Sequence, residues 1–119
     1  MSTLVAQTIS NGTVSTSSAN VIQGSAKAWV NWNGSSGSIR ASYNVSSITR
    51  TAQGSYTINF TNAFADANYG NSFSASVNGS INYWGISEAS APTTTAAYVR
   101  AYTNTAAYDP TYCNASFFR

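Results

Sequence analysis

The chain has 119 residues, one domain by length, and its five basic and three acidic residues leave a net charge of +2 without clustering. Five scattered cations make no basic stripe able to neutralise a run of phosphates, which speaks against nucleic-acid binding. The absence of histidine and the wide spacing of Asp66, Glu88 and Asp109 leave acid–base catalysis without a pair, so no enzyme and no cofactor is expected. Leu4 is the one leucine and Met1 the one methionine, whereas Ser, Thr, Asn, Val, Ile and Tyr abound, and this composition predicts an all-β fold.

Residues 2–25 carry no aromatic and no charged side chain. Short β-prone pieces at 4–9 and 13–15 flank Asn11-Gly12, and 19–22 reads as a further extended piece before Gly24. Alone, such a stretch buries too little apolar surface to offset its ordering entropy. It is either a disordered terminus or an arm ordered by pairing with a neighbour, and Val5, Ile9, Val14 and Ile22 favour the arm. The expected organisation is an extended N-terminal arm at 1–25 and a β-sandwich domain at 26–119.

The rest reads as short strands between turn residues. In 27–32, Ala28, Val30 and Trp32 share one face and Lys27, Trp29 and Asn31 the other, before Asn33-Gly34 stops the strand. Residues 38–45 form the predicted hairpin partner, with Ile39, Ala41, Tyr43 and Val45 inward. A brief extended piece at 47–50 and a turn at Gln53-Gly54 lead to 55–60, where Tyr56, Ile58 and Phe60 face the core. After a bend at 62–68, the strand 69–77 is expected to pair through Asn78-Gly79 with 80–86. A loop at 87–95 precedes a strand at 96–103 with Ala97, Val99 and Ala101 inside; a loop at 104–110 precedes a last strand at 111–118 with Cys113, Ala115 and Phe117 on one side. Seven or eight strands at this spacing predict an antiparallel, jelly-roll-like β-sandwich.

Four ordered blocks, Lys27-Ala28-Trp29-Val30-Asn31-Trp32-Asn33-Gly34, Ser42-Tyr43-Asn44-Val45-Ser46-Ser47-Ile48-Thr49, Gly54-Ser55-Tyr56-Thr57-Ile58-Asn59-Phe60 and Ala65-Asp66-Ala67-Asn68-Tyr69, resemble a module of bacteriophage and prophage virion proteins often labelled tail fibre. Trp32 and Tyr43 stand where that module usually has Phe. The resemblance covers about residues 24–69, with a weaker echo in Phe117-Phe118-Arg119, and fades beyond residue 70. It implies a structural role in the virion and brings no catalytic residues.

Cys113 is the lone cysteine, so an intrachain disulfide is excluded and Cys/His metal sites lack ligands; it reads as a small buried hydrophobe, with an interchain disulfide as the alternative. Asp66 and Asp109 fall in turns, where bonding to the local backbone accounts for them; pairing either with Glu88 in glycosidase fashion is the weaker alternative. Trp84, Tyr98, Arg100, Tyr102, Tyr108 and Tyr112 form a candidate aromatic surface for glycans or for a subunit interface. Val5, Ile9, Val14, Ile22 and Trp29 are candidate docking residues.

With no secretory leader and no apolar run of membrane-spanning length, the sequence predicts a protein made in the host cytoplasm and carried in the virion, without membrane insertion. The expected function is a homotrimeric tail-fibre or tail-tip protein that docks on other virion proteins through its arm and contacts host polysaccharide. A capsid decoration protein and a free-standing lectin are the alternatives.

Overall fold

The computed structural model describes residues 1–77, 84–87 and 90–119. Alternation of apolar and polar residues organises the domain into β3 (Ala26–Trp32), β4 (Ile39–Tyr43), β5 (Val45–Ala52), β6 (Ser55–Phe60), β7 (Gly70–Ser76), β8 (Trp84–Ser87), β9 (Ala96–Tyr102) and β10 (Tyr112–Phe118). Ahead of it lie β1 (Thr8–Ser10), β2 (Ser15–Ser17) and the helix α1 (Ser18–Gly24). Among the described residues the strands form two antiparallel four-stranded sheets, ordered β4-β3-β10-β7 and β5-β6-β9-β8, and the separate β1-β2 hairpin. The all-β fold expected from composition, and the antiparallel sandwich expected from the spacing of the strands, are thus what the described residues of 26–119 form.

The core lies between the sheets and is built from the strand faces that alternation selects. Ala28, Val30 and Trp32 meet Cys113, Ala115 and Phe117 from the first sheet, against Tyr56, Ile58, Ala97 and Val99 from the second. Aromatic rings join the layers: Trp32 meets Tyr56 edge-on at 5.7 Å, and Phe60 meets Phe117 edge-on at 5.1 Å. Phe64 and Tyr69, from the bend before β7, close one end of this cluster at 4.7 Å from each other, and the Tyr69 hydroxyl donates to the carbonyls of Thr93 and Ala96. Burying each such ring stabilises the fold by roughly 1.5–3 kcal/mol.

Two local devices re-aim the strand predicted at 38–45. In the β3–β4 ladder Asn31 pairs with Ala41 but Trp32 pairs with Ile39, so Arg40 is an extra residue in a bulge. The bulge keeps Ile39 against the core but turns Ala41 and Tyr43 outward, opposite to expectation, and Tyr43 is 59% exposed. Asn44 then adopts φ +55°, and within this one residue the chain leaves the first sheet for the second. Asparagine suits the left-handed corner, and its amide closes it: Nδ2 donates to the carbonyls of Lys27 and Asn62 at 3.1 and 3.2 Å, while Oδ1 accepts from the Asn62 N–H at 2.8 Å. Beyond the corner the brief piece expected at 47–50 is the full strand β5.

Other expectations also shift. Residues 19–22 are helical within α1, where Ser17 caps the first turn by accepting from the Asn20 N–H. The Asn78-Gly79 turn and residues 80–83 lie outside the described residues; Trp84–Ser87 pairs with β9 in the second sheet, whereas β7 pairs with β10 in the first. Of residues 1–25 all but the half-buried Ser18 are exposed.

Replacing Asn44 by Ala removes the amide bonds and places a Cβ without them in the left-handed region. A loss of about 1–3 kcal/mol in denaturant-unfolding stability is expected. Tyr43→Ser, one residue away on the exposed face, should change stability by about 0.5 kcal/mol or less.

Candidate functional site

At one end of the sandwich, the connection from β9 to β10 is held by a single carboxylate. Asp109 accepts two bonds from Arg50 Nε at 3.0 and 3.1 Å and one from Nη2 at 2.7 Å, with a further 2.9 Å bond from the Gly54 N–H and 2.7 Å from the Tyr56 hydroxyl. These partners are distant in sequence, so the local-turn role expected of Asp109 does not hold. Asp66 does play that role: it accepts from the Asn68 N–H at 2.8 Å and also pairs with Arg119 at 2.6 Å. Burial alone would push the Asp109 pKa up, but the bonds from Arg50, Gly54 and Tyr56 hold it below the usual carboxylate range. Burial, and then the bond to Asp109, pushes the Tyr56 hydroxyl far above the ordinary phenol range.

Glycine makes this docking possible. Gly54 sits at φ +68°, and a Cβ there would run into the Ala101 carbonyl and the Tyr108 backbone. The Gly34 N–H donates to the Pro110 carbonyl at 2.9 Å, and a Cβ there would strike Pro110 and the Tyr56 hydroxyl. Beside this contact Cys113 is buried, and burial raises its thiol to about 12, so it acts as a small core residue.

The outer face of the second sheet is a comb of hydroxyls and amides: Ser47, Thr49 and Thr51 on β5, and Ser55, Thr57 and Asn59 on β6. Asn59 Nδ2 donates to Ser47 Oγ and Thr49 Oγ1 at 3.0 and 3.1 Å. Next to the comb, β9 presents Tyr98, Arg100 and Tyr102, and Trp84 stands opposite Tyr102 in the β8–β9 register. Arg100 Nε donates to Ser55 Oγ at 3.0 Å, and its guanidinium carbon lies 5.4 Å from the Tyr102 ring centre. An open trough of about 360 Å³ runs along Thr51, Thr57, Ser90, Tyr98 and Arg100.

The six residues expected to form one aromatic surface therefore divide. Tyr98, Arg100, Tyr102 and Trp84 belong to the second sheet, whereas Tyr108 lies in the loop after β9, its N–H donating to the Ala101 carbonyl at 3.1 Å. Tyr112 lies on the first sheet, with the Arg40 guanidinium 4.7 Å from its ring centre. Arg40 also donates to the carbonyls of Trp32 and Thr111 at 2.7 and 2.6 Å. Strand parity shows which side chains leave the core; it does not show which sheet a strand joins.

Of the docking residues, Val5 is 88%, Val14 68%, Ile22 62% and Ile9 47% exposed. Trp29 is 41% exposed on the outer face of the first sheet, across from Tyr43 and Ser116. There Asn31 Nδ2 donates to Asn114 Oδ1, and Ser72 and Ser116 share a 2.8 Å bond along a second trough of about 390 Å³. Glu88 lies outside the described residues. No protein-family model, curated protein or solved structure matches the chain.

The Asp109 network makes stability depend on acid. A carboxylate with a lowered folded-state pKa contributes stability above its unfolded value, near 4, and that contribution is lost as the pH falls through the folded value. Asp109→Asn should cost about 1–3 kcal/mol at neutral pH and flatten the loss of stability below pH 4, as read from thermal or urea unfolding across pH.

Proposed function

We propose that this chain is a structural protein of a bacteriophage particle, of the tail-fibre or tail-tip type, assembled as a homotrimer. Residues 1–25 attach it to other virion proteins, and the sandwich faces outward toward the host envelope. The observation that carries the reading is the contrast between the two parts. The sandwich buries Trp32, Tyr56, Ile58, Phe60 and Phe117 in a core of its own, whereas Leu4, Val5, Val14 and Ile22 are among the most exposed apolar residues of the chain.

An uncharged segment that exposes aliphatic side chains gains stability by burying them against a partner. β1 and β2 pair with each other, and among the described residues no further strand joins them, so their outer edges are open to strand addition. Trp29, on the outer face of the strand that leaves the arm, extends the apolar contact into the domain. The resemblance of four sequence blocks to a module of phage virion proteins supports the same reading, and the sandwich fold supplies a body for it.

Deletion of residues 2–23 should leave a cooperatively folding β-domain by circular dichroism that is lost from purified particles. Normal incorporation of the truncated chain would overturn the docking role. Copy number then separates attachment sites: a few copies per particle indicate the tail, whereas a number in proportion to the capsid subunits indicates decoration of the head.

A further inference from the structure

Arg100 differs from every other cation of the chain in what its charged end meets. Among the described residues, Arg50 and Arg119 are neutralised by Asp109 and Asp66. Arg40 spends both terminal nitrogens on backbone carbonyls, and Lys27 donates to the carbonyls of Ile22 and Ser25. Arg100 is exposed, and its contacts within the described residues are the Nε bond to Ser55 Oγ and the stack on Tyr102. The Nε bond and the ring contact hold the guanidinium, and its two terminal nitrogens have no hydrogen-bond partner among the described residues.

Arg100 lines the trough of about 360 Å³ together with Thr51, Ser55, Thr57, Ser90 and the half-buried Tyr98. The volume falls in the range of small-ligand clefts, roughly 300–1,000 Å³. A planar fork matches a carboxylate in two parallel bonds, hydroxyls match the hydroxyls of a sugar, and a tyrosine ring matches the apolar face of a pyranose. A protein partner would instead favour a large apolar centre, whereas serine and threonine hydroxyls make up much of this trough's lining.

We infer that the outer face of β5, β6 and β9 binds a carboxylate-bearing glycan, a uronic or sialic acid unit of a polysaccharide. Arg100 grips the carboxylate, Thr51, Thr57 and Ser90 meet the ring hydroxyls, and Tyr98 flanks the sugar. This deepens the host-contact part of the reading above and rests on the sandwich, not the arm, facing the envelope.

The test uses the intact chain against immobilised polyguluronate, polygalacturonate, hyaluronate and polysialate, each beside its carboxyl-reduced counterpart. The expected result is binding to at least one acidic polymer, weakened by about 10- to 100-fold on carboxyl reduction and by a similar factor in Arg100→Gln, with an intermediate loss in Arg100→Lys. Far-UV circular dichroism and sedimentation of the variants should match the unsubstituted chain. Equal binding of reduced polymers, undiminished binding by Arg100→Gln or binding to none of the four would overturn the proposal. Dissociation of the oligomer by Arg100→Gln would make this face a subunit interface and overturn it as well. Particle incorporation of Arg100→Gln, measured separately, reports on the docking role of residues 1–25 and is expected to be normal.

Discussion

The Tyr56 side chain is the point on which the two layers and the loops at one end of the sandwich converge. Its ring packs edge-on against Trp32 of the opposite sheet, and its hydroxyl donates to Asp109. Asp109 in turn gathers Arg50 from β5 and the Gly54 N–H from the β5–β6 turn. The connection it secures runs from β9 in the second sheet to β10 in the first, so one carboxylate ties the apolar core to a crossover between layers. A buried phenol without that acceptor would leave a desolvated donor, and a carboxylate without its donors would be expensive at 16% side-chain exposure.

A second crossover, at Asn44, works by the same economy. One polar side chain satisfies the backbone of two segments and holds a conformation that most residues avoid. The two connections differ in chemistry, charged at Asp109 and neutral at Asn44, and only the charged one is sensitive to acid. Among the described residues, Asp109 and the more exposed Asp66 are the side-chain carboxylates whose folded-state pKa values are lowered, and both contribute to the acid limb of the stability curve.

Strict alternation made much of the core legible from the sequence. Ala28, Val30 and Trp32, Tyr56, Ile58 and Phe60, Ala97, Val99 and Ala101, and Cys113, Ala115 and Phe117 all face inward as their parity requires. Parity failed at Ala41 and Tyr43, where the Arg40 bulge shifts the register by one residue, a feature that leaves no mark in the hydrophobic pattern. It was also silent about partners more than fifty residues apart, as with Asp109 and Arg50. Gln53-Gly54 read correctly as a turn, but only the structure shows that Gly54 is needed because another loop lies against it. The six-residue aromatic set divides for the same reason: β9 and β10 are consecutive strands and join different sheets.

Among the described residues, what remains on the two outer faces is almost entirely neutral, and this neutrality gives Arg100 its importance. On a surface crowded with lysines and carboxylates, one guanidinium adds little selectivity, because mobile charges of both signs surround any ligand. Here the neighbours are hydroxyls and amides, many already bonded to one another in ladders such as Ser47–Asn59–Thr49. Such groups offer similar bonds to many sugars and discriminate weakly among them. A single oriented cation among them supplies the asymmetry: it leaves the affinity for neutral sugars nearly unchanged and raises that for a carboxylate in the one position its fork can reach. A composition this poor in charge is therefore compatible with selective recognition, provided that the few charges not used to hold the fold are held in place by it, as Ser55 and Tyr102 hold Arg100.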